Sequence, residues 1–125
     1  MSERTGAGGF VDLAGNGTVL CAASAYDKKY YFNRQFAALP EDIQKEVRTI
    51  CILFTQDIGG YFLMTFSEEG HLQFKTSSRA SDYSYDEIGA AMMVRQIQKH
   101  RQRLLSQLEL FYRIVFPGMN EDIDN

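Results

Sequence analysis

Four cationic side chains lie close together in the last third of this 125-residue chain. Arg95, Lys99 and Arg103 follow one another at intervals of four residues, and Arg101 lies between the last two. On one continuous helix this spacing gives a basic ridge, which could contact the phosphates of a nucleic acid. The same spacing is typical of a solvent-exposed helix face, and a net charge of −3 argues against a general nucleic-acid binder.

A second group of residues could form a ligand site beside the first predicted strand. That strand is rich in Ala, Ser and Cys, whose small side chains leave room for a ligand or for a closely packed helix. In the ligand hypothesis the convergent polar groups are Tyr31, Asn33, Asp57 and His71. The alternative for His71 is an exposed residue at the end of a turn.

The two cysteines, Cys21 and Cys51, both lie in apolar segments. Because burial raises the pKa of a thiol, this position disfavours a nucleophilic role and predicts reduced thiols in the core. The sequence leaves open whether the two are adjacent or form a disulfide. It contains no His-x-x-x-His or Cys-x-x-Cys spacing, so we expect no metal site, no cofactor and no catalytic residue.

Alternating and turn-forming residues predict two hairpins. Strands over residues 18–26 and 29–33 are joined by a two-residue turn at Asp27 and Lys28, which would pair Ala23 with Phe32. Strands over 61–67 and 72–77 are joined by Glu-Glu-Gly, which fits a type I turn with a bulge. This second register pairs Phe66 with Leu72.

Helical periodicity predicts a first helix that opens at Pro40 and ends before Gly59. A second predicted helix spans residues 85–116. About thirty helical residues extend roughly 45 Å, whereas a domain of this size has a diameter of roughly 34 Å. The helix must therefore overhang the domain or bend. An overhanging apolar stripe predicts a homodimer interface that includes Leu104, Leu108, Phe111 and Val115.

The element order predicts a two-layer α+β domain over residues 18–117. Its antiparallel sheet consists of the two hairpins in the order ββαββα, with two helices on one face and the C-terminal helix long. Residues 1–17 are predicted to be a flexible leader and residues 118–125 an acidic, disordered tail. With no secretion signal and no long apolar run, the sequence favours a cytoplasmic protein without a membrane segment.

Six short stretches resemble a small family of proteins of unknown function from Clostridia-type Firmicutes. They are VLCAASAY at residues 19–26, KYYFN at 29–33, ILFT at 52–55, DIGG at 57–60, YDEIG at 85–89 and LELFY at 108–112. The resemblance covers nearly all of the predicted domain. It implies a cytoplasmic bacterial protein and supplies no activity or site residues.

Three functional hypotheses follow. The first is a non-enzymatic interaction or regulatory domain that self-associates through the C-terminal helix. The second is a small-molecule binder or enzyme with a pocket between the first hairpin and the tyrosines. The third is a weak nucleic-acid binder that uses the basic ridge.

Overall fold

The computed structural model describes residues 17–116, so the predicted tail and all of the predicted leader except Gly17 lie outside the described residues. Within this range the chain forms four strands and three α-helices. The strands are β1 (Thr18–Ser24), β2 (Lys29–Phe32), β3 (Tyr61–Phe66) and β4 (Leu72–Ser77). The helices are α1 (Glu41–Asp57), α2 (Glu87–His100) and α3 (Gln102–Val115).

The four strands form one antiparallel sheet in the order β2-β1-β3-β4. The buried residues of all three helices belong to one hydrophobic core with one face of this sheet. On the other face, Ala22 and Leu63 form a second, small buried cluster with Val19 and Tyr31 beside it. The predicted two-layer α+β architecture is therefore confirmed.

The second hairpin has the predicted register. Phe66 lies opposite Leu72, Met64 opposite Phe74, and the amide of Ser67 donates to the carbonyl of His71. Gly70 has a φ of 89°, the left-handed conformation that the predicted turn assigns to it. The turn sequence and the alternation of apolar residues both indicate this register, so the sequence alone was enough to predict it.

The predicted register of the first hairpin is wrong by two residues. Ala23 lies opposite Tyr30, not Phe32, because the turn spans the four residues 25–28 instead of two. Lys28 takes the left-handed conformation that closes this turn, with a φ of 54°. A shift of two residues keeps every side chain on its predicted face, so the core-facing pattern survives the error.

One continuous helix over residues 85–116 is a wrong prediction, and of the two alternatives for its length the structure shows the bend, as a break at Arg101. This residue has φ −122° and ψ 30°, and it separates α2 from α3. No Pro or Gly lies between residues 90 and 116 to announce the break. Glu46 of α1 pairs with the Arg101 guanidinium at 2.6 Å, which ties the break to the first helix. Bending lets both halves bury their apolar faces in the same core.

Stacked aromatic rings join α3 to the sheet. The ring of Tyr112 lies 4.3 Å from that of Phe66 and 4.8 Å from that of Phe116, measured between centroids. Phe36, from a short 3-10 turn over Arg34–Phe36, stacks on Phe116 at 5.0 Å. The buried rings fix the position of α3 over β3.

Gly60, at the start of β3, allows a close approach that no other residue type would. Its φ is 71°, and a Cβ there would overlap the carbonyl oxygen of Ser77 and the ring of Tyr85. Gly59 has a φ of 94° but open space around it. Both positions would strain the backbone of a substituted residue, but only Gly60 would also bring a Cβ into overlap with neighbouring atoms.

We expect Gly60→Ala to lower the free energy of unfolding by at least about 1 kcal/mol more than Gly59→Ala. Both variants carry the strain of a left-handed residue, and only Gly60→Ala adds the cost of overpacking. Urea unfolding of the two variants measures this difference directly. Equal losses would show that the contact between Gly60 and Tyr85 is not tightly packed.

Candidate functional site

A cavity of about 640 Å³ lies between the first hairpin and helix α1. Its volume is within the range of small-molecule sites. The lining combines small residues of the hairpin, three cations and one face of the helix. The lining residues are Ala23, Ser24, Ala25, Lys28, Lys29, Tyr30, Arg48, Ile52, Thr55 and Gln56.

Helix α1 forms one wall of this cavity. Arg48, Ile52, Thr55 and Gln56 recur at helical spacing and so share a face. The neighbouring face carries the buried residues that anchor the helix to the sheet, which are Val47, Ile50, Cys51 and Phe54. The wall is thus held rigidly by its own core contacts.

The hairpin forms the opposite wall, which includes Tyr30. Ala23 and Ser24 are buried and leave space that larger side chains would fill. The hydroxyl of Tyr30 is buried and has no hydrogen-bond partner among residues 17–116. Burial raises the pKa of this hydroxyl, and the nearby thiols of Cys21 and Cys51 raise it further. Tyr30 is therefore neutral at physiological pH.

The charge on the cavity lining has one sign. Lys28, Lys29 and Arg48 line it, and no Asp or Glu does. None of the three makes a salt bridge to a carboxylate of the described part of the chain. The guanidinium of Arg48 lies 5.8 Å from the centroid of the Tyr30 ring, a cation–π distance. The arrangement can attract an anion.

Reciprocal side-chain bonds shape the turn that carries Lys28. The Ser24 hydroxyl donates to the Asp27 carboxylate at 3.1 Å, and the Asp27 amide donates back to the Ser24 hydroxyl at 3.1 Å. Asp27 also accepts a hydrogen bond from the Arg79 guanidinium at 3.3 Å. These contacts fix the rim of the cavity to the loop after β4.

Tyr26 makes a second connection between the same turn and loop. Its hydroxyl donates to the Asp82 carboxylate at 2.5 Å and accepts from the backbone amide of Arg79 at 3.1 Å. The guanidinium of Arg79 lies 4.4 Å from the centroid of the Tyr26 ring and donates to the Tyr61 hydroxyl at 3.1 Å. The hydrogen bond from Tyr26 lowers the pKa of Asp82.

Cys21 of β1 and Cys51 of α1 meet behind the cavity. Their sulfurs lie 3.2 Å apart, and both side chains are fully buried and free. Burial raises the pKa of the Cys51 thiol, and the hydrogen bond to Cys21 raises it further. The adjacency that the sequence left open is therefore a feature of the fold.

The four residues predicted for a ligand site do not line this cavity. Tyr31 belongs to the cluster on the opposite face of the sheet, because neighbouring strand residues alternate. The Asn33 side chain donates to the Val19 carbonyl at 2.7 Å and caps the 3-10 turn. Asp57 is exposed at the end of α1, and His71 is exposed after the second hairpin turn.

The cations of the predicted ridge are divided by the helix break. Arg95 and Lys99 are exposed on α2, and Arg103 is exposed on α3. Arg101 pairs with Glu46, so its charge is used within the domain. The continuous four-residue spacing on which the ridge depended is interrupted.

The residues predicted for a dimer interface have different surroundings. Leu104 and Leu108 are buried in the main core of the domain. Phe111 packs against that core, with its ring 6.1 Å from that of Phe36. Val115 is exposed. The surface that α3 leaves open to a partner therefore consists mainly of other residues.

Fold and cavity together define a small α+β domain with a ligand-sized, cation-lined pocket. The chain belongs to the family of unknown function DUF6145, whose model matches residues 17–120. The expectation of a family without a known activity is confirmed. No curated protein and no solved structure matches the chain.

Two further properties concern residues 17–116 only. No helix in that range combines the length and apolar character needed to cross a bilayer. No cluster of three or more His, Cys, Asp or Glu side chains there could hold a metal ion.

We expect Tyr26→Phe to lower the melting temperature by a few degrees at neutral pH and by less in acid. The folded-state pKa of Asp82 is lowered, chiefly by the Tyr26 hydrogen bond. That contribution is present above the unfolded pKa of about 3.9 and is lost as pH falls through the folded pKa. Thermal unfolding across this pH range, with Tyr83→Phe as the exposed control, measures it. A loss that did not depend on pH would contradict the assignment.

Proposed function

We propose that the protein binds a small organic anion in the cavity between the first hairpin and α1. The observation that carries this proposal is the one-signed lining. Lys28, Lys29 and Arg48 converge on one space without a carboxylate among the lining residues. Each of these cations is exposed and therefore available to a ligand.

Electrostatics favours an anionic ligand over a neutral one. Cations that share a site repel one another, and a bound carboxylate or phosphate would relieve that repulsion. Arg48 can bind such a group through two parallel hydrogen bonds, whereas the lysines act as point charges. A cationic rim also raises the local concentration of anions.

The rest of the lining supports an organic body on that anion. Ala23 and Ile52 are apolar, and Tyr30 contributes its ring to the same space. Gln56 and Ser24 add polar groups that could orient a ligand. A carboxylate or phosphate attached to a flat or apolar body fits this combination better than an inorganic ion does.

We expect Arg48→Gln to weaken binding of an aromatic carboxylate such as benzoate by about tenfold or more. That factor corresponds to the about 1.5 kcal/mol or more that a hydrogen bond to a charged group contributes. Amide chemical shifts in an NMR titration report both the affinity and the location. Binding at this cavity perturbs amides on both walls, in the segments 23–30 and 48–56.

Arg95→Gln is the matched control, since Arg95 is an exposed arginine that does not line the cavity. It should leave the affinity unchanged, and added salt should weaken binding in the wild type. Inorganic phosphate tests whether charge alone suffices. The absence of shifts at millimolar benzoate and phosphate, or equal losses in both variants, would refute the proposal.

Self-association is a second candidate, favoured by apolar residues exposed on the C-terminal helices. Leu110 and Ile114 lie four residues apart on α3 and are 55% and 65% exposed. Ile88 and Met92 repeat this spacing on α2 at 74% and 61%. Adjacent exposed apolar residues are a common feature of interfaces. A symmetric homodimer through α3 would cover Leu110, Ile114 and Val115.

We expect the double variant Leu110→Glu, Ile114→Glu to be monomeric at concentrations where the wild type is dimeric. Charges at the centre of an apolar interface are desolvated without partners. Light scattering after gel filtration at micromolar concentration measures the mass. The pair Gln98→Glu, Gln102→Glu, at exposed polar positions, is the control for added charge. A wild-type protein of monomer mass would exclude this candidate.

A further inference from the structure

Two thiols from different elements touch in the centre of the domain. Cys21 lies on the central strand β1 and Cys51 on helix α1, thirty residues later in the chain. Their sulfurs are 3.2 Å apart, and neither side chain is exposed. The contact joins the two elements that also form the walls of the cavity.

The separation is close to that of a covalent pair. A disulfide places its sulfurs about 2.05 Å apart, so the two atoms would have to approach by about 1 Å. The irregularity between Val19 and Cys21 in the pairing with β3 brings both Leu20 and Cys21 into the main core. Cys51 occupies the buried face of α1 opposite it. The fold therefore already holds the two sulfurs in contact, and no loop has to move to bring them together.

The surroundings allow the pair to change its covalent state. The buried hydroxyl of Tyr30 lies near both thiols, and burial raises its pKa while both thiols raise it further. Within residues 17–116, no further His, Cys, Asp or Glu completes a metal site with them. Formation of a bond would therefore remove no existing salt bridge or metal ligand.

We propose that Cys21 and Cys51 form a reversible disulfide that fastens α1 to β1 under oxidising conditions. The oxidant is a small-molecule disulfide such as oxidised glutathione. One protein thiolate attacks a sulfur of that disulfide, and the first glutathione leaves as a thiol. The second protein thiol then attacks the mixed disulfide, the protein S–S bond forms, and the second glutathione leaves. The protein loses two protons and two electrons in all, and oxidised glutathione gains them as it becomes two glutathione thiols.

Access controls the rate of this reaction. Both thiols are buried, so the attack requires a local opening that separates α1 from the sheet. Once formed, the bond closes a loop of about thirty residues and removes conformational freedom from the unfolded chain. In the chain-entropy description this raises the melting temperature by roughly 10 °C or more.

The test uses the full chain, equilibrated in glutathione buffers from reducing to oxidising. We expect the oxidised protein to be a monomer lighter by two hydrogens, with no thiol available to an alkylating agent after denaturation. Its melting temperature should rise, and dithiothreitol should reverse both changes. Cys51→Ala is the control, because with one thiol its melting temperature should not respond to the buffer in this way.

Refolding from denaturant in the same buffers exposes both thiols to the oxidant, so burial in the folded state no longer limits the reaction. Two free thiols after both treatments would overturn the proposal. A stable mixed disulfide with glutathione, or a disulfide between two chains, would overturn it as well. The result does not depend on whether the cavity binds an anion, since mass and melting temperature are measured without a ligand.

Discussion

The close packing of α1 on the small residues of β1 is the constraint on which the rest of this structure depends. β1 is a central strand, and its core-facing residues Cys21 and Ala23 each lie between larger partners. Phe32 and Met64 flank Cys21, whereas Tyr30 and Phe62 flank Ala23. A small strand between large neighbours makes a groove, and a helix placed in it buries more apolar surface than one lifted above it. A larger residue at either position would raise α1 and open the core.

The cavity is a consequence of the same groove. Where β1 ends, its small residues continue through Ser24 and Ala25 while α1 continues alongside with Thr55 and Gln56. Beside the hairpin the turn supplies the cations Lys28 and Lys29 instead of apolar side chains, while Phe54 still packs the helix on Phe62 of the sheet. The turn keeps its shape through Ser24 and Asp27 and through the contacts of Arg79. The first hairpin and α1 therefore form packed core along one part of their length and the cavity along another, because their side chains change from apolar to polar and cationic.

Local signals made some of this fold predictable and left the rest open. The second hairpin could be predicted because Gly70 marks its turn and the alternation of apolar residues fixes the same register. In the first hairpin Lys28 takes the left-handed conformation, and no sequence rule assigns a lysine to it. At the helix break Arg101 pairs with Glu46, which is 55 residues away in sequence, so no local pattern marks the contact. The position of a site near the first hairpin was inferable from its small residues. The predicted and the observed register both put Tyr30 on the face of Ala23 and Tyr31 on the other, so strand alternation already argued for Tyr30.

Tyr30 shows why the chemistry of this domain cannot be assigned to separate residues. Its ring lines the cavity beside Arg48, and its hydroxyl is buried next to the two thiols. A ligand on one side and a sulfur–sulfur bond on the other would both act on the same side chain. Any effect of thiol oxidation on ligand affinity must then be matched by an equal effect of the ligand on thiol oxidation, because the two equilibria share one protein. The size of that coupling depends on how far β1 and α1 move when the sulfurs approach. Packing as tight as that between Phe54 and Phe62, whose ring centroids are 4.4 Å apart, leaves these elements little freedom to move independently.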